Sequence, residues 1–302
     1  MNILISILIA AYNSEKFIEQ TILSCLNQGE ENYEIVISDD NSDDNTWNII
    51  QKFNNFNIIK YKQNKNLGEY ANRNFLIEKA TGKYVIFIDG EDLLYSNAIA
   101  TLQQYIVNYP NASQFIAHGW NENIIFPRPI TPNQFIGLEL FGPGCVGLNF
   151  TRLIFKKSSL IEVNNFDNFD VKIGDVYIQY KLGFRYNSVL ISEGFSWWRR
   201  RKGQASEKIL SENITYFLEE LKFKECFIAE SKSKVTTEEY KIILYNFYGN
   251  ILRNVLRSLV KFDKNAFLFL KSNYHLFARY WKSIFFKPKR YFLDNHSGEN
   301  PF

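Results

Sequence analysis

The sequence predicts an α/β fold with a mainly parallel central sheet, followed by a helical C-terminal extension. Short, almost wholly apolar segments alternate with segments of helical periodicity from residue 3 to residue 109. This alternation is typical of a parallel sheet whose strands are buried on both faces. Polar clusters follow several of the apolar segments, at the edge where such sheets bind ligands. From residue 207 onward only helical periodicity remains, which predicts the extension.

Six segments are predicted as strands, and the first is an almost wholly apolar run rich in β-branched residues. They are residues 3–9, 34–38, 57–61, 83–88, 113–120 and 150–157. Apolar runs of this length without alternation are typical of fully buried strands.

Helices are predicted between these strands. The predicted helices cover residues 17–26, a segment that starts at Ser42 or Asp43, and residues 68–80, 93–109 and 174–183. The segment 126–149 is rich in Pro, Gly and Asn, which predicts a loop. A boundary near residue 206 then divides the chain into domains 1–206 and 207–302.

Composition excludes several classes of protein. With 46% hydrophobic and 22% charged residues the chain is too apolar for a disordered protein. No apolar run reaches about 18 residues, so no membrane-spanning helix is expected, and the N-terminus lacks the features of a signal peptide. The cysteines Cys25, Cys145 and Cys226 are widely spaced, which favours a reducing compartment and a cytoplasmic location over a disulfide framework.

The net charge of +3 conceals a segregation of charge. Between Lys241 and Leu293 there are 11 Lys and Arg residues, 14 aromatic residues and one acid, Asp263. This segment carries +10, against −7 for the remainder of the chain. An acidic domain with a basic aromatic segment indicates an anionic partner for that segment.

The most informative polar cluster is Asp89-Gly90-Glu91-Asp92, after the strand 83–88. Three carboxylates within four residues repel one another, and a divalent cation would relieve that repulsion. Mg²⁺ and Mn²⁺ are commonly held by one or two carboxylates together with phosphate oxygens. The alternative is a solvated acidic turn, which the position at the ligand edge of the sheet disfavours.

Other candidate ligand-binding or catalytic residues are suggested by their positions at the ends of strands and the starts of helices. Asp39 ends the second strand and can accept hydrogen bonds from a ligand, whereas Ser42 and Asp43 suffice for helix capping. Arg73 near a helix start suits a planar or anionic ligand, although a surface arginine is the alternative. Asp175 opens a helix and is either an N-cap or a general base. The four cations from Arg199 to Lys202 would be balanced by a polyanion, which can be a diphosphate, a nucleic-acid backbone or an anionic membrane surface. A solvated face is the alternative.

In this order and spacing, these segments resemble the family-2 glycosyltransferases, which have the GT-A fold. The resemblance covers about residues 3–206. It implies that Tyr12, Asp39 and Arg73 hold the nucleotide base, usually uracil. The turn from Asp89 to Asp92 would bind the ribose and a divalent cation.

The same resemblance implies the chemistry. Glu91 and Asp92 would hold Mn²⁺ or Mg²⁺, and Asp175 would be the catalytic base of an inverting transfer. Arg199 and Arg201 would neutralise the diphosphate. The reaction implied moves a sugar from a UDP donor to a saccharide or lipid-linked acceptor in surface polysaccharide assembly.

Three positions depart from the family pattern. Glu91 stands where the family usually has Asp, which lengthens the side chain by one methylene. Arg201 stands where a His is common, and a guanidinium can neutralise phosphate but cannot bind a metal ion. Gly174 replaces the usual Glu before the base, while Asp175 itself is kept.

Specific residues distinguish the competing functions. A nicotinamide-dependent oxidoreductase requires a glycine-rich turn after the first strand, and residues 10–15 contain no glycine. A non-catalytic nucleotide-sugar-binding or scaffold protein on the same fold stays open as the alternative. No nucleic-acid partner is expected, because no nucleic-acid-binding motif is present.

The C-terminal segment contains two different patterns. From Tyr240 to Leu259 apolar residues recur at helical spacing, which predicts a helix packed against other helices. Residues 274–293 mix aromatic and basic side chains. Two interpretations of 274–293 stay open: contact with an anionic membrane at the inner face of the cell membrane, or a homo-oligomer formed through the C-terminal helices.

Overall fold

A computed structural model describes most of the chain, in nine stretches. They are residues 4–29, 32–117, 126–141, 144–147, 149–167, 173–192, 194–200, 224–262 and 264–285. The chain forms two compact units. The first comprises Met1–Thr131, Val146–Asp170 and Gly174–Arg200, and the second comprises Pro132–Cys145, Val171–Ile173 and Arg201–Phe302.

Ten strands are present in the described part of the first unit. They are β1 (Ile5–Ala11), β2 (Tyr33–Asp39), β3 (Ile58–Lys62), β4 (Tyr84–Asp89), β5 (Leu93–Leu94), β6 (Gln114–Ala117), β7 (Arg128–Ile130), β8 (Leu153–Lys156), β9 (Ser188–Ile191) and β10 (Ser196–Trp197). Eight of them form one sheet in the order β3-β2-β1-β4-β8-β6-β9-β7, and β5 pairs with β10.

The large sheet is mainly parallel, as predicted. The strands β1 to β4 are parallel neighbours, and β6 pairs with β9 in parallel. Only β8 and β7 run in the opposite direction to their neighbours. The strands β1, β2 and β4 are almost fully buried, which accounts for their continuous apolar sequence.

Helices cover this sheet and form most of the described second unit. The first unit contains α1 (Ile18–Leu26), α2 (Thr46–Gln51), α3 (Glu69–Lys79), α4 (Ala98–Asn108), α6 (Lys157–Glu162) and α7 (Gly174–Gly183); α5 (Pro132–Leu140) belongs to the second unit. The prediction for residues 174–183 is confirmed to the residue.

Three sequence predictions require correction. The helix predicted over 93–109 begins only at Ala98, because residues 93–94 pair with β10. The strand predicted over 150–157 begins with a 3-10 turn at Phe150–Arg152, because the Asn149 side chain accepts the N–H of Thr151.

The third correction concerns the loop predicted over 126–149, which contains β7 and α5. Its prolines have positional roles rather than breaking structure. Pro129 lies on an edge strand, where a missing N–H is tolerated. Pro132 is the first residue of α5, where helices favour proline.

The amino-terminal edge of the sheet is held by Glu34. This residue is 9% exposed, and its carboxylate accepts four hydrogen bonds. The donors are the Ser6 hydroxyl, the Thr81 N–H and hydroxyl, and the Gly82 N–H. The carboxylate therefore ties β1, β2 and the turn before β4 together.

The second unit is helical where it is described. Residues 224–231 are helical and are followed by α8 (Thr237–Val260), α9 (Lys264–Ser272), α10 (Tyr274–Tyr280) and a 3-10 turn at Trp281–Phe285. Thr236 and Glu239 form a capping box at the start of α8. The predicted apolar stripe is confirmed, because Ile243, Phe247 and Ile251 are buried.

The 3-10 turn packs closely on α8. A Cβ on Gly249 would lie 2.4 Å from the carbonyl oxygen of Ser283, so this contact requires glycine. The Arg253 guanidinium donates to the carbonyls of Ser283 and Ile284. Tyr248 and Tyr280 stack with ring centroids 4.2 Å apart. Among the described helices, none is both long enough and apolar enough to cross a bilayer.

Replacing Glu34 with Gln should lower the free energy of unfolding by about 1–3 kcal/mol, because an uncharged amide with a single accepting oxygen replaces a carboxylate that accepts four hydrogen bonds. Urea denaturation measures the change. Glu78→Gln is the matched control, because the Glu78 side chain is 70% exposed and pairs with Lys79 alone among the described residues. A Glu34→Gln protein as stable as the control would contradict a structural role for this carboxylate.

Candidate functional site

The candidate site lies at the carboxyl ends of β1, β2 and β4. Ala11 is in register with Asp39, and Ala10 is in register with Asp89. The sheet therefore brings together the polar clusters that follow these strands in sequence. A Cβ on Gly90 would lie 2.8 Å from the Ser14 Oγ and 3.3 Å from the Ala11 Cα, so this close approach requires glycine.

The loop after β1 is fixed by its neighbour after β2. Asn13 adopts a left-handed conformation with φ +48°. Its N–H donates to the Ser42 Oγ, and its Oδ1 accepts the N–H of Asp43. The Tyr12 side chain before it is 48% exposed and is therefore available to a ligand at this edge.

Asp39 is a buried carboxylate with one oxygen in use. The N–H and the hydroxyl of Ser42 both donate to Oδ1. The other oxygen, Oδ2, is buried and has no partner among the described residues. Burial raises the pKa of Asp39, and the hydrogen bonds from Ser42 act against that rise. Asp39 thus offers a single buried acceptor.

Asp40 has a structural role that the sequence did not indicate. Its two carboxylate oxygens accept the N–H groups of Leu67 and Gly68, at 2.8 and 3.0 Å. Gly68 precedes α3 and has φ +87°, which glycine adopts without strain. Asp40 therefore positions the helix that carries Arg73.

Arg73 is buried between two aromatic rings. Its guanidinium carbon lies 4.1 Å from the ring centroid of Phe150 and 5.4 Å from that of Phe87. Its Nη2 pairs with Asp89 at 2.6 Å and with Glu69 at 3.3 Å. Burial alone would lower the pKa of Arg73, but these two carboxylates raise it on balance.

This arrangement refines the prediction for Arg73. Among the described residues its side chain bonds to the carboxylates of Asp89 and Glu69, while Nε and Nη1 are buried without a partner there. Arg73 orients Asp89 at the end of β4. A direct contact of Arg73 with the nucleotide base stays a prediction.

The acidic turn contains carboxylates in different environments. The Asp89 side chain is 35% exposed, and Glu91 is also partly exposed. Asp92 is fully buried: its Oδ1 accepts the N–H of Arg199, and its Oδ2 has no partner among the described residues. Burial raises the pKa of Asp92 to about 7, and the neighbouring Asp89 adds to that rise.

These residues fit a divalent cation that shares its ligands with a phosphate. Among the described residues, no three His, Cys, Asp or Glu side chains form a complete metal site by themselves. One or two carboxylates are sufficient when phosphate oxygens complete the coordination. The Asp92 Oδ2 atom, which is buried and has no partner among the described residues, is the oxygen ligand that such a cation would bind.

Arg199 connects the β10 segment to the acidic turn. Its Nε donates to the carbonyl of Glu91 at 2.8 Å, and its Nη2 donates to the Gln20 Oε1. The guanidinium also lies over the rings of Phe17 and Trp197. The structure therefore gives Arg199 a positioning contact, and its contact with a diphosphate stays a prediction. Arg201 lies outside the described residues.

Asp175 lies in the first turn of α7 and is held by backbone donors. Its Oδ2 accepts the N–H of Asn149 at 2.7 Å, and its Oδ1 accepts the N–H of Val176. Burial raises the pKa of Asp175, while these hydrogen bonds lower it. Glu69 and Arg73 also act on it electrostatically, so Asp175 belongs to the same charged cluster as Asp89.

Tyr70 explains the glycine before Asp175. The Tyr70 hydroxyl accepts the N–H of Gly174 at 2.8 Å, and its ring stacks on Phe166. A Cβ on Gly174 would lie 2.2 Å from the Tyr70 Cε1. The ring therefore occupies the space that a side chain at position 174 would need. Sequence reasoning missed Tyr70, because nothing in the sequence signals a contact across 104 residues.

The sequence comparisons identify a family. Residues 6–163, just over half of the chain, match the model of Glycosyl transferase family 2. The UDP-Glc:alpha-D-GlcNAc-diphosphoundecaprenol beta-1,3-glucosyltransferase WfaP of Escherichia coli is 41% identical over 97 residues, which are 32% of this chain and 39% of that protein. The chain also covers less than half the length of two further curated relatives.

Solved structures share the fold. TarS of S. aureus in complex with UDP-GlcNAc matches with a TM-score of 0.56 at 18% identity, covering 83% of this chain and 81% of that one. The mannosyltransferase PcManGT of Pyrobaculum calidifontis, in complex with GDP-Man and Mn²⁺, matches with a TM-score of 0.56 at 13% identity, covering 100% and 88%. The predicted GT-A fold is thereby confirmed.

The contact between Tyr70 and Gly174 can be tested by a double-mutant cycle. Gly174→Ala should lower the free energy of unfolding by about 1–3 kcal/mol, because the added methyl group overpacks against the Tyr70 ring. Combining it with Tyr70→Ala should cost less than the sum of the two single changes, since the clash is removed. Urea denaturation measures all three proteins.

The control is Gly147→Ala, because a Cβ there lies no closer than 3.5 Å to any neighbour. Additive effects of the two substitutions would show that Tyr70 does not restrict position 174.

Proposed function

The chain belongs to Glycosyl transferase family 2, and on that basis we propose that it transfers a sugar from a nucleotide donor to an acceptor hydroxyl with inversion of configuration. The single observation that carries the proposal is Asp175, a partly buried carboxylate oriented by two backbone N–H groups and close enough to Arg73, the partner of Asp89, to interact with it electrostatically. The relative from Escherichia coli, whose name specifies a UDP-Glc donor and a diphosphoundecaprenol-linked acceptor, supports a lipid-linked or saccharide acceptor in surface polysaccharide assembly.

We expect the donor nucleotide to be UDP. The Asp39 Oδ1 is used by Ser42, which leaves only Oδ2 as an acceptor. One acceptor matches the single ring N–H of uracil, whereas guanine presents two adjacent N–H groups on its pairing edge. A base N–H would also offset the cost of an unpaired buried oxygen, about 1–3 kcal/mol. Tyr12 is exposed beside this position and would contact the base or ribose.

Glu91 and Asp92 would hold Mn²⁺ or Mg²⁺, and Asp89 would contact the ribose. When bound, such a cation supplies positive charge that stabilises the leaving diphosphate. Groups of the chain itself position the carboxylates of the acidic turn. Arg73 holds Asp89 in place, and the Arg199 backbone N–H orients Asp92. The guanidinium groups of Arg199 and Arg201 would also stabilise the negative charge on the leaving diphosphate.

The proposed chemical step is a direct displacement. Asp175 accepts the proton of an acceptor hydroxyl while the hydroxyl oxygen attacks the anomeric carbon. The bond between that carbon and the diphosphate oxygen breaks on the opposite side, and the electron pair leaves with the diphosphate. The raised pKa of Asp175 favours this role, because a stronger base accepts the proton more readily.

The proposed catalytic domain is residues 1–206, followed by the extension 207–302. A cytoplasmic location is supported by Cys25 and Cys145, which are buried and not disulfide-bonded. Peripheral binding at the inner face of the cell membrane would bring the enzyme to a lipid-linked acceptor. Within 274–293, Tyr274, Trp281 and Phe285 are exposed, so membrane contact and self-association both stay open for that segment.

Asp175→Asn should lower the rate of transfer roughly a hundredfold or more, because a positioned general base contributes about that much. UDP release from UDP-glucose and from UDP-N-acetylglucosamine in Mn²⁺, with water as acceptor, measures the rate. UDP binding by calorimetry should be unchanged. Glu78→Gln is the control, because it makes the same chemical change at an exposed position outside the site.

The pH dependence separates Asp175 from other causes. The base acts in its charged form, so the rate should fall as the pH drops through the raised pKa of Asp175. This acidic limb should lie above pH ~4, the ordinary range for Asp, and should vanish in the Asn variant. An Asp175→Asn protein that transfers at the wild-type rate would show that Asp175 is not the catalytic base. UDP binding without turnover by either protein would favour the non-catalytic alternative.

Glu91→Gln should weaken UDP binding in Mn²⁺ about tenfold, because it replaces a charged ligand with a neutral one. In EDTA the variant and the wild type should bind UDP equally. Calorimetry with UDP and GDP measures both this difference and the base preference. A Glu91→Gln defect that persists in EDTA, or tighter binding of GDP than of UDP, would contradict the corresponding assignment.

A further inference from the structure

The turn between α8 and α9 exposes large apolar side chains. Val260 is 80% exposed and Phe262 is 96% exposed, and Phe267 and Leu268 on α9 are 60% and 49% exposed. These four residues are defined here as the tip residues. They lie within nine consecutive positions at one helix–helix connection, so they form a local apolar feature rather than scattered exposed residues.

Phe262 occupies a backbone position that disfavours it. It has φ +57°, and its N–H donates to the carbonyl of Leu259 at the end of α8. This left-handed position after a helix is usually taken by glycine or asparagine. A bulky residue there combines backbone strain with an almost fully exposed ring. Glycine would remove both the strain and the exposed ring. The phenyl ring at this position is therefore not explained by the stability of the fold, which indicates a role in binding.

Lysines surround the tip residues. Lys261, Lys264 and Lys271 are exposed, and none of them makes an ion pair within the described residues. Lys264, Phe267, Leu268 and Lys271 are spaced i, i+3, i+4 and i+7, which puts them on one face of α9. That face has an apolar centre and a lysine at each end.

The opposite side of α9 faces the protein. Ala266 is fully buried, whereas its neighbours Phe267 and Leu268 are exposed. The helix α9 packs on α8, whose own inner side is buried at Ile251 and Val255. The lysine-flanked face is therefore presented outward from a packed helical pair.

We propose that the tip residues and their lysines form a docking surface for an anionic lipid bilayer. Aromatic and aliphatic side chains bordered by lysines are typical of interfacial membrane contacts. Charge complementarity selects this occupant over a second copy of the chain. In a symmetric dimer this surface would face its own copy, and lysines would lie close to lysines. Between Lys241 and Leu293 the sequence has a single acid, Asp263, to balance them.

This surface is distinct from the segment 274–293 and does not depend on glycosyl transfer. The experiment uses the full chain and vesicles of equal parts phosphatidylglycerol and phosphatidylcholine, with pure phosphatidylcholine vesicles as the comparison. Flotation without donor should recover the wild type with the anionic vesicles. Binding should weaken as NaCl rises from about 0.1 M to about 0.5 M, because salt screens the lysines.

Phe262→Gly is the decisive variant. Glycine relieves the left-handed strain, so thermal stability should stay equal or rise, while vesicle binding should fall about tenfold. Lys264→Gln and Lys271→Gln should each cost about fivefold on anionic vesicles only. Phe56→Gly is the matched control, because Phe56 is also fully exposed but lies outside this surface.

Two outcomes would overturn the proposal. The first is vesicle binding by Phe262→Gly equal to that of the wild type. The second is a lipid-free dimer, seen by light scattering, that dissociates in Phe262→Gly; this would assign the surface to self-association. The proposed transfer activity is measured separately through Asp175, so failure of lipid binding does not bear on it.

Discussion

The buried guanidinium of Arg73 is the group around which the strand-end site is organised. A buried charge is stable only when it is paired, and Arg73 pairs with Asp89 and Glu69. The rings of Phe87 and Phe150 exclude water from it, which strengthens these ion pairs. Helix α3, strand β4 and the turn before β8 must therefore keep fixed relative positions, and Asp89 is held at the edge where a ligand binds.

Two glycines let the backbone close around this cluster. Gly90 allows the acidic turn to approach Ser14 and Ala11, and Gly174 allows the start of α7 to approach the Tyr70 ring. Tyr70 follows Glu69, so one turn of α3 both pairs with Arg73 and supports the helix that carries Asp175. An aromatic side chain from α3 thus takes the space that any side chain at position 174 would need.

The sequence predicted most of the sheet, because buried parallel strands are local apolar runs that need no knowledge of their partners. It also brought Asp39, Asp89 and Asp92 to one edge, since parallel strands end on the same side. It could not predict the short β5–β10 pair, whose strands lie about 100 residues apart. The roles of Asp40, Glu69 and Tyr70 were missed for the same reason: each acts through a tertiary contact without a signal in its neighbouring residues.

Strand β2 shows how structural and functional carboxylates differ within one element. Glu34 near its start uses both oxygens to bind four donors from the protein. Asp39 at its end is buried as deeply but uses only Oδ1. Buried polar atoms are nearly always hydrogen-bonded in native proteins. Strand β2 therefore satisfies the Glu34 carboxylate fully at one edge of the sheet. At the other edge, where we propose that the donor binds, it leaves one oxygen of Asp39 without a partner among the described residues. That asymmetry is expected when the missing partner of Asp39 is a ligand rather than another residue of the chain.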